Sequence, residues 1–253
     1  MPIAIITGTT AGIGAATAKI LAKNGYDLII NGRRKKRLEE QSQELEDQYA
    51  IKTKIMHIDV RNHDEVKQYV GNLLSEWSSI DLLVNNAGLA AGLSSIESGS
   101  IDHWNRMIDT NIKGLLHITK YVTPLLKNTK GHIINIGSIA GKEVYPNGNV
   151  YCGTKHMVDA LNKAMRRELA EFGVRVTSIN PGAVETEFSV VRLDGNIEKA
   201  KKVYNGFENL VAHDIADAIW FAVSRPKHVN INELIIMPSA QPAAGEVIRN
   251  KGL

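Results

Sequence analysis

Seven short apolar runs alternating with longer stretches of helical periodicity restrict the folds open to this chain more than any other feature. Ile3–Thr7, Tyr26–Asn31, Lys54–Ile58, Asp81–Asn85, His132–Ile136, Arg175–Asn180 and Ile231–Met237 read as strands, several apolar on both faces. Strands buried on both faces belong to parallel sheets covered by helices. Helical patterns lie near Ile13–Asn24, Lys36–Gln48, Asp64–Trp77, Ile101–Leu126, Tyr151–Phe172 and Asp214–Val223. Parallel neighbours need crossovers, and right-handed βαβ crossovers of this length build an α/β, doubly wound, Rossmann-type parallel sheet flanked by helices. No repeat, low-complexity tract or linker divides the 253 residues, so a single domain, 1–253, is expected. The segment 186–210 is polar, contains Gly195 and Gly206 and is long for a connection. A mobile substrate lid with a short helix is expected there.

Composition removes several classes of function. The net charge is only +3, and basic residues are mostly interleaved with acids, so the electrostatic footprint of a nucleic-acid binder is missing. The single cysteine, Cys152, excludes an internal disulfide and suits a reducing compartment. No apolar run reaches the length of a membrane span, and MPIAIITG reads straight into a strand without a basic leader. A cytoplasmic protein is the expectation. The eight histidines are scattered without ligand spacing, so no metal site is expected.

The first βα turn is TGTTAGIG, Thr7 to Gly14, directly after the strand IAIIT. Gly8, Gly12 and Gly14 would let the backbone approach a pyrophosphate on the helix N-terminus, where free N–H groups favour an anion. The spacing is G-x-x-x-G-x-G, and an ordinary glycine-rich turn is the plain alternative. The second strand ends Asn31-Gly32-Arg33-Arg34-Lys35-Lys36-Arg37, with no acid before Glu39. A ribose 2′-hydroxyl is usually held by an acid here, a 2′-phosphate by arginine. Arg33 and Arg34 therefore point to NADP rather than NAD, while Lys35 and Lys36 read as a solvated helix start. Asp59-Val60 and Asn85-Asn86-Ala87-Gly88 follow the third and fourth strands, at the strand ends where open α/β sheets bind ligands. Asp59 can accept from an adenine amino group or cap the next turn. Asn111 is a polar residue in an apolar helical pattern, read as functional or as exposed.

Ser138, Tyr151 and Lys155 follow in order. If a helix begins near Tyr151, then Tyr151 and Lys155 are i and i+4 neighbours on one face. A free tyrosine titrates near pH ~10. A neighbouring ammonium and the positive charge of an oxidised nicotinamide both lower that value, by roughly 1–3 units for one close charge. The pair can thus serve as a general acid/base near neutral pH. The plain alternative is an exposed tyrosine beside a solvated lysine. Arg192, in EFSVVRLDG on the expected lid, is a candidate substrate-binding residue that could close over a ligand with a bidentate pair, with a solvated loop arginine as its alternative. Lys142 and Tyr145 are pocket candidates on position.

Together these residues resemble the short-chain dehydrogenase/reductase family: TGTTAGIG is similar to its glycine turn, NNAG to its N-N-A-G, and Asn111, Ser138, Tyr151 and Lys155 to its catalytic tetrad. Pro181-Gly182 with Val184 and Thr186 resembles its cofactor-carboxamide segment, and the resemblance also brings Thr10 and Ile13 of the glycine turn into the cofactor site. NGRR, IINIGSIAG, GNVYCGTK and TEFSVVR look similar to NADP-dependent 3-hydroxy acid dehydrogenases, which act on serine, L-allo-threonine and 3-hydroxypropionate-type substrates. The resemblance implies that Ser138 binds the substrate oxygen and Tyr151 moves the proton. Lys155 then binds the nicotinamide ribose and lowers the tyrosine pKa, and Asn111 positions a water between Lys155 and solvent. It also implies a homotetramer. The competing functions are an NADPH-dependent reductase of ketones or 3-oxoacyl thioesters and a non-catalytic NADP-binding sensor. Cys152 departs from the small residue common after the tyrosine.

Overall fold

The computed structural model describes residues 1–73, 77 and 79–249. Its elements, in chain order, begin with β1 (Ile3–Ile6), α1 (Gly12–Lys23), β2 (Asp27–Asn31), α2 (Lys35–Tyr49), β3 (Thr53–Met56), α3 (His63–Gly71) and β4 (Ile80–Asn85). There follow α4 (Ile101–Ile108), a π-helical turn (Asp109–Gly114), α5 (Leu115–Thr129), β5 (His132–Ile136), α6 (Asn149–Leu169) and β6 (Arg175–Pro181). The last are β7 (Val184–Glu185), α7 (Phe188–Arg192), α8 (Ile197–Val203), β8 (Leu210–Val211), α9 (Ala212–Val223) and β9 (Glu233–Ile236).

Seven of these strands form one parallel sheet in the order β3-β2-β1-β4-β5-β6-β9. Strand alternation sends successive side chains to opposite faces, and this divides the core in two. Ile3, Ile5, Ile29, Leu83, Ile133 and Val176 pack against α3, α5 and α6 through Val66, Val122, Leu126, Val158 and Met165. Ala4, Ile6, Leu28, Ile30, Val84 and Ile134 pack on the other face against Ala18 and Leu21 of α1, Leu38 of α2 and Ile215 and Ile219 of α9. Both faces being covered explains why the strands read as near-continuous apolar runs. The strand order reverses between β1 and β4, and that switch point opens a crevice at the carboxyl ends of the strands.

The expected doubly wound sheet is thus present, while two helices and segment 186–210 differ from expectation. The helix expected over Asp64–Trp77 ends at Gly71, and residues 74–76 and 78 lie outside the described ones. Asn62 fixes its start, accepting from the backbone N–H groups of Asp64 and Glu65 at 3.1 and 3.3 Å. The expected Ile101–Leu126 helix runs on to Thr129 but is interrupted by the π-helical turn, which a 3.6-residue period cannot register. Segment 186–210 carries two short helices rather than one, and the parallel β7–β8 pair ties its ends together. Among the described residues, no helix is long and apolar enough to cross a membrane, and no cluster of three or more metal-ligating side chains occurs.

Close packing of α1 on the first turn makes a tight local demand. A Cβ on Gly14 would lie 2.3 Å from the Gly8 carbonyl oxygen and 2.5 Å from Asn86 Nδ2. Gly14→Ala should therefore lower stability by roughly 1–3 kcal/mol through overpacking. The fall in urea midpoint at unchanged m-value checks this.

Candidate functional site

A cavity of about 690 Å³ lies over the switch point and runs from the glycine turn to segment 186–210 and the C-terminal tail. At its floor, Gly8 and Gly12 hold left-handed φ values of +71° and +55°, which side-chain-bearing residues avoid. The Asn86 amide donates to the carbonyls of Thr7 (2.8 Å) and Gly8 (3.0 Å). In return Thr7 Oγ1 accepts from the backbone N–H groups of Asn86 (3.0 Å) and Ala87 (2.9 Å). The ends of β1 and β4 are therefore cross-linked. The N-cap of α1, Ala11, offers no side-chain acceptor, so the first-turn N–H groups are left for an anion. Gly8, Thr10, Gly12 and Ile13 line the cavity; Gly14 instead supplies the close approach beneath them. These residues fit a dinucleotide pyrophosphate.

Arg33 and Arg34 both line the cavity, as the NADP expectation requires. Arg34 donates from Nε (3.0 Å) and Nη2 (2.7 Å) to Thr10 Oγ1, and from Nη1 to Glu187 at 2.8 Å. Arg33 lies 3.8 Å from Asp59. Lys35 and Lys36 face solvent beside Glu39 and Glu40, as expected of a solvated helix start. Asp59 and Val60 line the same cavity. Burial raises the Asp59 carboxyl, but hydrogen bonds from Arg61 outweigh it and hold the group below the usual carboxylate range. The carboxylate is gripped by Arg61 Nε (3.0 Å) and Nη2 (2.6 Å), so its capacity toward an adenine amino group is shared.

Ser138, Tyr151 and Lys155 meet at the opposite end, with Ala87, Gly88, Pro181, Gly182, Val184 and Thr186 on the adjoining walls. Ser138 sits at the end of β5, where its Oγ accepts from Ala140 N at 3.1 Å. Because α6 begins at Asn149, Tyr151 and Lys155 share one buried helix face. Lys155 Nζ donates to the Ile136 carbonyl at 2.9 Å and lies 6.0 Å from the Tyr151 ring centre. Burial pushes the Lys155 ammonium down to about 8. Burial, with Tyr145 adding to it, pushes the Tyr151 phenol well above its ordinary range, while the Ser138 hydroxyl and the Arg192 cation pull the other way. In the free protein desolvation wins, so the lowering expected from Lys155 does not set the tyrosine's net state.

Asn111 is buried, which excludes the exposed alternative. The π-helical turn aims it inward, where Oδ1 accepts from Leu89 N (2.8 Å) and Nδ2 donates to Leu89 O (2.8 Å) and Thr154 Oγ1 (3.0 Å). Gly88 separates it from Lys155: a Cβ there would sit 3.2 Å from Asn111 Oδ1 and 3.7 Å from Lys155 Nζ.

Arg192, at the end of α7, turns into the cavity rather than solvent. Its Nη2 donates to Tyr145 Oη at 2.9 Å, and Cζ lies 5.5 Å from the Tyr151 ring centre. Its backbone carbonyl accepts from Gly92 N at 2.8 Å, anchoring segment 186–210 to the loop after β4. Tyr145 lines the cavity as expected, but Lys142 does not. Asp159 (2.6 Å) and Glu233 bind its ammonium away from the site, since two carboxylates outcompete solvent or ligand for one cation. Sequence reasoning missed Glu187, Phe188, Gln241 and Arg249, all cavity-lining. Only Glu187 left a trace, as an acid next to Thr186. The tail residues carry no local pattern.

The buried lysine gives a pH test. Below pH ~8 the folded ligand-free protein holds a desolvated ammonium, which costs stability. Between about 8 and 10.5 the unfolded chain keeps that proton while the folded one releases it, so stability rises with pH. Lys155→Met removes this dependence. Its stability advantage over the native chain should shrink as pH climbs through that window, read from paired urea midpoints; a constant difference contradicts the buried-ammonium account.

Comparison with known proteins agrees with this geometry. The short chain dehydrogenase family model matches residues 2–196. The chain is 44% identical over 245 residues to the NADP-dependent 3-hydroxy acid dehydrogenase YdfG of Escherichia coli strain CFT073, covering 96% of this chain and 97% of that protein. It is 42% identical over 241 residues to serine 3-dehydrogenase of Agrobacterium fabrum, covering 95% of each. Among solved structures, the closed form of serine dehydrogenase complexed with NADP+ superposes with a TM-score of 0.91 at 41% identity, covering 98% of this chain and 100% of that one. A glycine turn on the switch point, a buried tyrosine–lysine pair and this full-length similarity are one pattern, and the chain belongs to the short-chain dehydrogenase family of oxidoreductases.

Proposed function

We propose that this chain is an NADP-dependent dehydrogenase interconverting short 3-hydroxy acids, of the serine, L-allo-threonine and 3-hydroxypropionate type, with their 3-oxo acids or semialdehydes. The observation that carries the substrate class is Arg192: a cation held by Tyr145 Oη at 2.9 Å, above the Tyr151 ring, within the same cavity as Ser138. A carboxylate is the natural partner for a guanidinium so placed. The full-length similarity to 3-hydroxy acid and serine dehydrogenases supports the same class.

Gly8, Thr10, Gly12, Ile13, Asn86, Ala87 and Gly88 would hold the dinucleotide, with Arg33 and Arg34 at its 2′-phosphate and Pro181, Gly182, Val184 and Thr186 beside the nicotinamide. NADP+ supplies the hydride acceptor. Ser138 Oγ donates a hydrogen bond to the substrate oxygen and holds it as charge develops. The Tyr151 phenolate takes the hydroxyl proton. Lys155 holds the nicotinamide ribose and, with the oxidised ring's positive charge, offsets the burial that keeps the phenol protonated. Asn111 and Lys155 flank the space beside Gly88, which suits a shared water leading protons out. Segment 186–210 acts as a lid whose closure brings Arg192 over the substrate. We include in this reading a homotetramer, for which Met157 on α6, Phe172 just beyond it and Ile235 on the edge strand β9 are exposed and apolar.

Steady-state rates with the three hydroxy acids test the reading. NADP+ should be strongly preferred over NAD+. Arg192→Ala should raise KM for hydroxy acids by about 10–100-fold, the loss of one charge-assisted pair, and leave simple secondary alcohols unaffected. Turnover of neutral ketones or thioesters alone would refute the substrate class. Tyr151→Phe should lower kcat by roughly 10²–10⁴-fold without loss of fold.

A further inference from the structure

Arg33 and Arg34, proposed at the 2′-phosphate, lie within reach of carboxylates of the chain itself, as does Arg37 one helical turn further on. Glu187 uses one carboxylate oxygen for each of two guanidiniums: Oε2 accepts from Arg34 Nη1 and Oε1 from Arg37 Nη1, both at 2.8 Å. Arg34 simultaneously holds Thr10, the residue of the glycine turn nearest that end. Burial raises the Glu187 carboxyl, but the hydrogen bonds and charges of Arg34 and Arg37 together outweigh it and keep it below the usual range. Glu187 is also the N-cap of α7, so the same carboxylate anchors the start of the segment that ends in Arg192.

We propose that Glu187 is a specificity-determining residue: its carboxylate, tied also to Arg37, occupies the cation of Arg34, and a phosphate reaches Arg34 only by displacing it. A 2′-phosphate is a dianion and would lie against the carboxylate if both stayed, so the like charges exclude joint occupation. A dinucleotide with a bare 2′-hydroxyl lacks the charge to break the pairs and leaves Glu187 seated. Discrimination between the two cofactors is then set by a difference, cation–phosphate attraction less cation–carboxylate attraction. By reciprocity, phosphate binding loosens the Arg34–Glu187–Arg37 anchor of α7 by the same free energy that the anchor subtracts from phosphate affinity. The inference rests on the NADP reading.

Titration calorimetry of the full chain with 5′-AMP and with adenosine 2′,5′-bisphosphate separates the two. The native chain should bind the bisphosphate more tightly than 5′-AMP. Glu187→Gln should tighten the bisphosphate by about fivefold at low salt, as expected for releasing two exposed ion pairs, and leave 5′-AMP unchanged. Glu187→Asp, which keeps the charge, should stay near the native value, and the gain in Glu187→Gln should fade at high salt. Unchanged or weaker bisphosphate binding by folded Glu187→Gln overturns the proposal while leaving the NADP reading intact. A native chain that does not distinguish the two nucleotides overturns both.

Discussion

A buried ammonium with one fixed carbonyl partner organises this molecule. Lys155 is shut away from solvent at the end of the sheet, bonded to the Ile136 carbonyl. Desolvating a cation is costly unless something nearby compensates, and burial has already brought this one down to about 8. The surroundings follow from that constraint. β5 must end where its carbonyl can accept, α6 must start two residues before Tyr151, and the loop after β4 must pass as glycine between Asn111 and Lys155. The fold holds a charge where it is least stable, and a bound nucleotide is what would make that placement productive.

Burial moves the titration of the neighbouring phenol in the opposite direction. Burial keeps Tyr151 protonated in the free protein, with Arg192 and Ser138 only partly offsetting the effect. Two groups displaced in opposite directions by the same desolvation are poised rather than active. On the proposed function, positive charge arriving at the cavity would shift the phenol toward ionisation, and acid/base competence would belong to the loaded site. Arg192 adds to this from segment 186–210, because its cation reaches both tyrosines only where the Gly92 contact keeps α7 in place.

The sheet and the ends of its strands were legible in the sequence because their signals are local. Apolar runs such as IAIIT, the glycines of the first turn and the four-residue spacing of Tyr151 and Lys155 all act within one element or one turn. What stayed hidden depends on pairings across the chain. Lys142 looked available until β9 brought Glu233 and α6 brought Asp159 against it. Arg34 looked free until α7 placed Glu187 on it, 153 positions away. The π-helical turn escaped because one extra residue in a turn leaves the apolar stripe nearly unchanged while redirecting Asn111.

On the proposed function, Tyr151 becomes ionisable only when cofactor charge offsets its burial. Ultraviolet difference titration of the native chain against Tyr151→Phe reads this directly, as phenolate absorbance with and without NADP+. Burial should leave Tyr151 un-ionised below pH ~10 in the free protein, and adding NADP+ should shift its titration clearly downward, less so in Lys155→Met. A Tyr151 titration that is the same with and without NADP+ would contradict it.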